Sequence, residues 1–297
     1  MNATAWPPLS LPDGPIAAVD FGGTNIDVLI WQESRFARAF FPSGRPIGCA
    51  LLRDVLVRSG APLDALRWVA VTGGRHQELP DTLDGTPIVK IAELRAVARG
   101  GLLASGRDEA LIASLGTGTL LVGARGTQVL HLGGSGVGGG TLLGLSRLLL
   151  GTADAPVIDT LARRGDAGRI DLSVGEIVGG GVGMIPPTAT AAHFGKAAGI
   201  VAGTWIGDDR QPGREDVAAA LMNLVGQTVL RLALLAASAH GFQTAVLLGH
   251  LAELEGIARA AASMARLFGG EVIIPPHAGH AIALGALAEA AAVAPSH

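Results

Sequence analysis

Ala17-Ala18-Val19-Asp20-Phe21-Gly22-Gly23-Thr24-Asn25 is the stretch on which the architecture turns. Ile16 to Phe21 is an apolar run of strand length broken by Asp20, and Ile26 to Trp31 is a second such run. Gly22-Gly23-Thr24 lies between them, so the segment reads as a hairpin. A phosphate chain approaches a backbone only where side chains are absent, and paired glycines after a strand present N–H groups for that contact. Gly22, Gly23, Thr24 and Asn25 are therefore candidates for nucleotide binding, with the Thr24 hydroxyl as an added donor. Asp20, at the strand end, is placed to hold magnesium through water, because this hard cation prefers carboxylate and phosphate oxygens. A plain hairpin turn with a solvated aspartate is the alternative for the segment taken alone.

The same pattern returns roughly a hundred residues later, which marks a weak internal duplication. Ala110 to Leu115 is followed by the turn Gly116-Thr117-Gly118-Thr119 and by Leu120 to Val122. Two such turns, one from each half of the chain, can close on a polyphosphate from opposite sides. Ala245 to Leu248 is a third apolar strand, and Gly249 after it lets an adenosine lie flat against the backbone. Between the hairpins we expect a helix near Pro46 to Arg58, a strand Trp68 to Val71 ending in Thr72-Gly73-Gly74, and a helix near Glu93 to Leu103. After them the pattern predicts helices over Thr141 to Leu150, Val157 to Arg164, Asp216 to Ala239, Ile257 to Phe268 and Ala278 to Val293, with a strand Val272 to Ile274. Alternating strands and helices indicate an α/β fold. The duplication divides it into an N-terminal lobe, 1–105, and a C-terminal lobe, 106–297.

Composition bounds the partners. The chain has 297 residues, 49% of them hydrophobic, and a formal net charge of -3, with a pI near 6.2. That lacks the basic excess nucleic-acid binding favours, so no nucleic acid is expected as a partner. The 44 glycines are about twice the usual share of roughly 7%, and they cluster beside apolar runs, as turns at strand ends do. The single cysteine, Cys49, reads as a small core residue. It cannot form an internal disulfide, and the first fifteen residues lack the basic start and apolar run of a leader, so a cytoplasmic location is expected. The longest uncharged stretches are broken by Gly and Pro, and no membrane span is expected. Trp6, Trp31, Trp68 and Trp205 are scattered, as packing residues are. His240, His250, His277 and His280 show no compact metal-ligand spacing.

With these turns in place, the chain resembles the two-lobed superfamily of acetate and sugar kinases, chaperones and actin, and more closely the type II pantothenate kinases, also called fumble-like. The likeness runs from Ile16 to about Glu289. Its most specific part is Gly133-Gly134-Ser135-Gly136-Val137-Gly138-Gly139-Gly140-Thr141 with Leu142-Leu143-Gly144-Leu145, similar to the family's substrate and phosphate loop. Gly165-Asp166, Ile170-Asp171-Leu172, Ala191-Ala192-His193-Phe194-Gly195 and the ending from His277 through Leu287 also match.

The resemblance implies a ribonuclease H-like, actin-like ATPase fold with mixed sheets flanked by helices and a cleft between lobes. It implies ATP and Mg2+, phosphorylation of a small-molecule hydroxyl and a homodimer assisted by the long helix. If pantothenate is the acceptor, the reaction is the first step of coenzyme A biosynthesis. Glu93, beyond the Thr72-Gly73-Gly74 turn, corresponds to the family's general base, with Glu78 as second candidate and a dipole-favoured helix-terminal acid as the plain alternative. Gly139 and Gly140 are expected at the nucleotide, and His131, Gly133, Ser135, Gly138 and Arg147 at the substrate. Two positions depart from the pattern: His131 stands where the family commonly has arginine, and Asp27 where a lysine is usual. Arg75 or Arg147 can supply the missing positive charge. Asp27 resembles the related activator ATPases and N-acetylglucosamine kinases, so a sugar acceptor, or an activator-type or regulatory ATPase, stays open beside the pantothenate reading.

Overall fold

Asp20 closes a strand whose every residue is inside the protein, and that burial organises the first sheet. The computed structural model describes residues 6, 9, 11–197 and 212–294; Trp205 and most of the first ten residues, on which the leader expectation partly rests, lie outside them. β1 (Ile16–Phe21) is buried along its whole length, as a central strand covered on both faces must be. It pairs antiparallel with β2 (Asn25–Gln32) and parallel with β4 (Val69–Gly73). β3 (Arg35–Pro42) flanks β2, and β5 (Thr82–Leu83) and β6 (Thr86–Lys90) extend the other side, in the order β3-β2-β1-β4-β6-β5.

The second sheet contains β7 (Glu109–Leu115), β8 (Thr119–Arg125), β9 (Gln128–Ser135), β12 (Thr244–Leu248) and β13 (Glu271–Ile273), while β10 (Leu172–Ser173) and β11 (Thr190–Ala192) pair apart from it. Its order, β13-β12-β7-β8-β9, repeats the first: three antiparallel strands, then a parallel strand beside the first of them. Both sheets are mixed and flanked by helices, the α/β arrangement that the alternating strands and helices indicated and the resemblance implied.

Among the described residues, three apolar clusters hold the sheets. α1 (Cys49–Arg58) lays Leu51, Leu52, Val55 and Leu56 on one face of the first sheet, with Cys49 half-buried at its margin. α2 (Glu93–Ser105) and α8 (Ala281–Ala291) share a second cluster with Ile16, Ala18 and Leu29 of the first sheet and Ala110, Ile112 and Val122 of the second. α3 (Gly139–Leu150), α4 (Ala155–Arg164), α6 (Arg214–Ala239) and α7 (Glu255–Phe268) contribute to the third cluster, on the second sheet's other side; α5 (Val174–Val178) is one short turn. By length and composition α6 could cross a membrane, but 61% of its apolar window is buried. Leu221, Val225 and Val229 spend its apolar face on the protomer's core.

α2 and α8 cross unusually closely. A Cβ on Gly100 would overlap the Ala281 carbonyl, and one on Gly285 would overlap the Ala96 carbonyl and the Gly100 nitrogen. Only glycine at both positions permits this approach.

Several boundaries differ from the sequence reading. β3, β5 and β6 escaped it because they are short or half-exposed and lack a continuous apolar run. Gly133, Gly134 and Ser135 lie on β9 and pair with β8 instead of opening the glycine loop. Gly134 fits there because a Cβ would meet the Thr119 carbonyl carbon at 3.3 Å. The last helix begins at Ala281 after a 3₁₀ turn, Ala278–His280, since His277 sits at φ 54 and interrupts the helical path.

Candidate active site

The turns after β1 and β7 meet. The hydroxyls of Thr24 and Thr117 stand 2.9 Å apart, and Gly23 packs so closely that a Cβ would reach the Thr117 oxygen at 2.5 Å. Each turn is braced from behind. Ser43, just past β3, donates its hydroxyl to the Gly22 carbonyl at 2.7 Å. Gly139 and Gly140, opening α3, donate backbone N–H groups to the carbonyls of Gly116 and Thr117 at 2.8 and 2.9 Å. Thr119 donates to the Val137 carbonyl at 2.8 Å. This bracing spends the first N–H groups of α3 on the turn.

Around the junction lies a cleft of about 660 Å³, within the size range of small-ligand pockets. Asp20, Gly22, Gly23, Thr24 and Asn25 line it from one side and Ser114 through Thr119 from the other. Ser135, Gly139, Gly249 and Glu93 complete the predicted part of the lining. Gly249 holds φ 95 and presses on Leu115, where a Cβ would reach the carbonyl at 2.5 Å, so glycine is required at that wall.

Other predicted residues lie elsewhere. His131 is exposed on β9 and Arg147 is exposed on α3, and neither lines the cleft; nor do Gly133, Gly138 or Gly140. Glu78 pairs with Arg75 at 2.7 and 2.8 Å and lies outside the lining, whereas Arg75 borders the cleft. Asp171 in the matching Ile170-Asp171-Leu172 accepts from the Phe194 N–H at 2.9 Å and Asn223 Nδ2 at 2.7 Å. That motif builds a structural hub away from the cleft.

Electrostatically the cleft is a carboxylate cluster answered by the His250 imidazole, with His280 close behind. Burial first, then the neighbouring Asp27 and Glu93, push the Asp20 carboxyl up to about 8, against a lowering influence of His250. Burial alone would lower the His250 imidazole, but hydrogen bonds to Asp27 and Glu253 outweigh it and push it up to about 10. His250 Nε2 sits 2.6 Å from Asp27 Oδ1 and Nδ1 is 3.5 Å from Glu253. In the sequence Asp27 stands out only as a departure and His250 only among histidines without compact metal-ligand spacing, because nothing in the spacing says that residues 27 and 250 touch.

Both shifts act in the same direction. Below its native value Asp20 holds a proton that the unfolded chain has released, so stability falls as pH rises from about 4 to about 8. The His250 contribution is whole below 6.5 and disappears as pH rises through about 10. The melting temperature of the metal-free protein is therefore expected to fall between pH 6.5 and 10. Asp20→Asn should flatten the part below pH 8, and an unchanged profile in that variant would refute the assignment.

Two duplicated mixed sheets that face a cleft and bring two Gly/Thr turns into contact define the class: a two-lobed, actin-like ATPase fold. Solved structures of low identity share it. The activator of the 2-hydroxyisocaproyl-CoA dehydratase from Clostridium difficile with bound ADPNP superposes with a TM-score of 0.62 at 18% identity, covering 94% of each chain. A ROK family glucokinase from Streptomyces griseus in complex with glucose and AMPPNP gives 0.55 at 16%, covering 92% of this chain and 98% of that one. Within that class the chain belongs to the Fumble family, whose model matches residues 110–288. A type II pantothenate kinase of Bacillus cereus is 28% identical over 192 residues, 63% of this chain and 67% of the relative. One of Oceanobacillus iheyensis is 34% identical over 166 residues, 54% of this chain and 58% of the relative. The matched region thus spans about three fifths to two thirds of these relatives.

Proposed function

We propose that the chain is an ATP-dependent kinase that phosphorylates the primary hydroxyl of pantothenate or a similar small molecule. The contact between Thr24 and Thr117 carries this reading, since it brings phosphate-type turns from both sheets to one cleft. Family membership and relatives named type II pantothenate kinase support it.

In this reading the backbone of Gly22, Gly23, Gly116 and Gly118 and the two threonine hydroxyls hold the polyphosphate, and Gly249 faces the adenosine. Asp20 suits magnesium chemically, being a buried carboxyl that gains a counter-charge when a cation replaces its proton. Magnesium bound with the nucleotide spreads charge from the transferring phosphoryl group. Glu93, exposed to the cleft at the first turn of α2, accepts the acceptor's hydroxyl proton. The homodimer that the resemblance implies is part of the reading.

One observation favours a different acceptor. His131 is outside the cleft, and the bordering arginine, Arg75, is already forked onto Glu78, so among the described residues of the lining no free guanidinium waits for a pantothenate carboxylate. A sugar or amide acceptor fits such a lining. ADP release measured against a panel of vitamin precursors and sugars separates the possibilities. Release that depends on an added acceptor is expected. Dependence on a sugar moves the acceptor, and release without any acceptor replaces the kinase by an activator-type or regulatory ATPase.

A further inference from the structure

Asp27, His250 and His280 arrive from three separate parts of the chain: β2, the 3₁₀ turn His250–Glu253 after β12, and the 3₁₀ turn before α8. They nevertheless offer one carboxylate oxygen and two ring nitrogens that all lie within 4.8 Å of one another. Asp27 and His280 are buried and His250 is partly so. His280 Nε2 is 3.9 Å from Asp27 Oδ1, and the two imidazoles meet edge to face with centroids 5.4 Å apart. We propose that Asp27, His250 and His280 form a binding site for a divalent transition metal of zinc type, which clasps β2 of the first sheet to the turns that follow the second.

The donor set is the chemistry such ions take: two imidazoles and a carboxylate, three protein ligands with a further position left open. The opening is real here, since Asp27 and His250 both line the cleft. The supporting shell is also built. Glu253 faces the far nitrogen of His250 at 3.5 Å and is itself fixed by the Gly279 N–H at 3.0 Å. A carboxylate behind a ligating histidine orients its ring and raises its basicity. His280 Nε2 has only a 3.2 Å contact with the Ala39 carbonyl to give up. Bonds of about 2.0–2.1 Å set donors roughly 3.3 Å apart. Asp27 and His250, at 2.6 Å, must part slightly, and His280 must approach. The ion takes the place of the proton that now joins Asp27 to His250, and that proton leaves to solvent.

This site adjoins the magnesium position assigned to Asp20, which pairs with Asp27 across β1 and β2, but it uses a different ligand set and does not depend on the acceptor. Co2+ is the probe: the purified full chain is titrated with it, visible d–d absorption is recorded, and Zn2+ is added to displace it. Stoichiometric binding with low-symmetry d–d bands is expected. Asp27→Asn, His250→Ala and His280→Ala should each weaken it by more than about tenfold, Glu253→Gln by about tenfold, and Asp20→Asn should leave the bands in place. His280→Gln replaces His280→Ala if the latter loses its far-ultraviolet circular dichroism. A folded wild-type protein that binds no Co2+ overturns the proposal, as do bands that survive loss of His280 or vanish only with Asp20→Asn.

Discussion

Glu93→Gln should lower acceptor-dependent turnover by roughly a hundred- to ten-thousand-fold, the usual worth of a positioned general base, while ATP affinity stays unchanged. The carboxylate sits at the first residue of α2 and borders the cleft. At that position two roles make opposite predictions. An acid that only complements the helix dipole contributes about 0.3–1 kcal/mol to stability and nothing to turnover. A base leaves stability nearly untouched on amide substitution and removes the proton acceptor. Glu78→Gln is the matched control, because Glu78 is tied to Arg75 and lies outside the cleft lining. Full turnover in Glu93→Gln would take Glu93 out of the mechanism, and loss in Glu78→Gln would put that residue in its place.

Gly285→Val should cost about 3 kcal/mol or more, at the upper end of overpacking effects, and lower the urea midpoint accordingly. The reason is geometric: α8 approaches α2 so closely at Gly285 that a Cβ has backbone atoms of Ala96 and Gly100 in its place, and backbone cannot swing aside as a side chain can. Gly100→Val should do the same from the other helix. Since both act on one crossing, the double variant should lose less than the sum of the two. Gly144→Ala on α3 is the contrast, with nothing near its absent Cβ. There the better helix propensity of alanine should raise stability by up to about 1 kcal/mol. An unchanged midpoint in Gly285→Val would mean that the helices do not cross at these glycines. The damage should reach the cleft, because α2 carries Glu93 at its start and α8 follows directly on His280.

The parts of the fold legible in the sequence were those written in local pattern. β1, β4, β7 and β12 are central strands, and a strand buried on both faces is mostly apolar, with polar residues such as Asp20 and Thr72 confined near its ends. Their Gly and Thr turns followed because close backbone approach requires glycine. β3 was not legible, since one of its faces is half-exposed and its alternation is irregular. With it went Ser43, which closes the first turn from behind.

Gly133 to Ser135 looked like loop because glycine usually marks turns; the ladder to β8 keeps them in a strand. Motif matching placed His131 and Arg147 near a substrate, while the strand direction of β9 and the exposed face of α3 carry them away from the cleft.

From its residues alone, the chain indicated the duplicated hairpins and the Gly/Thr turns with Asp20 near the end of the first strand, because each depends on neighbours a few positions away; Glu93 came from the family resemblance. Tertiary structure alone decided that Thr24 meets Thr117, that Gly100 meets Gly285, and that Asp27 is answered by His250 and His280. Those contacts join residues far apart along the chain, and their positions are set by the packing of two sheets against α2 and α8, a property no local spacing encodes.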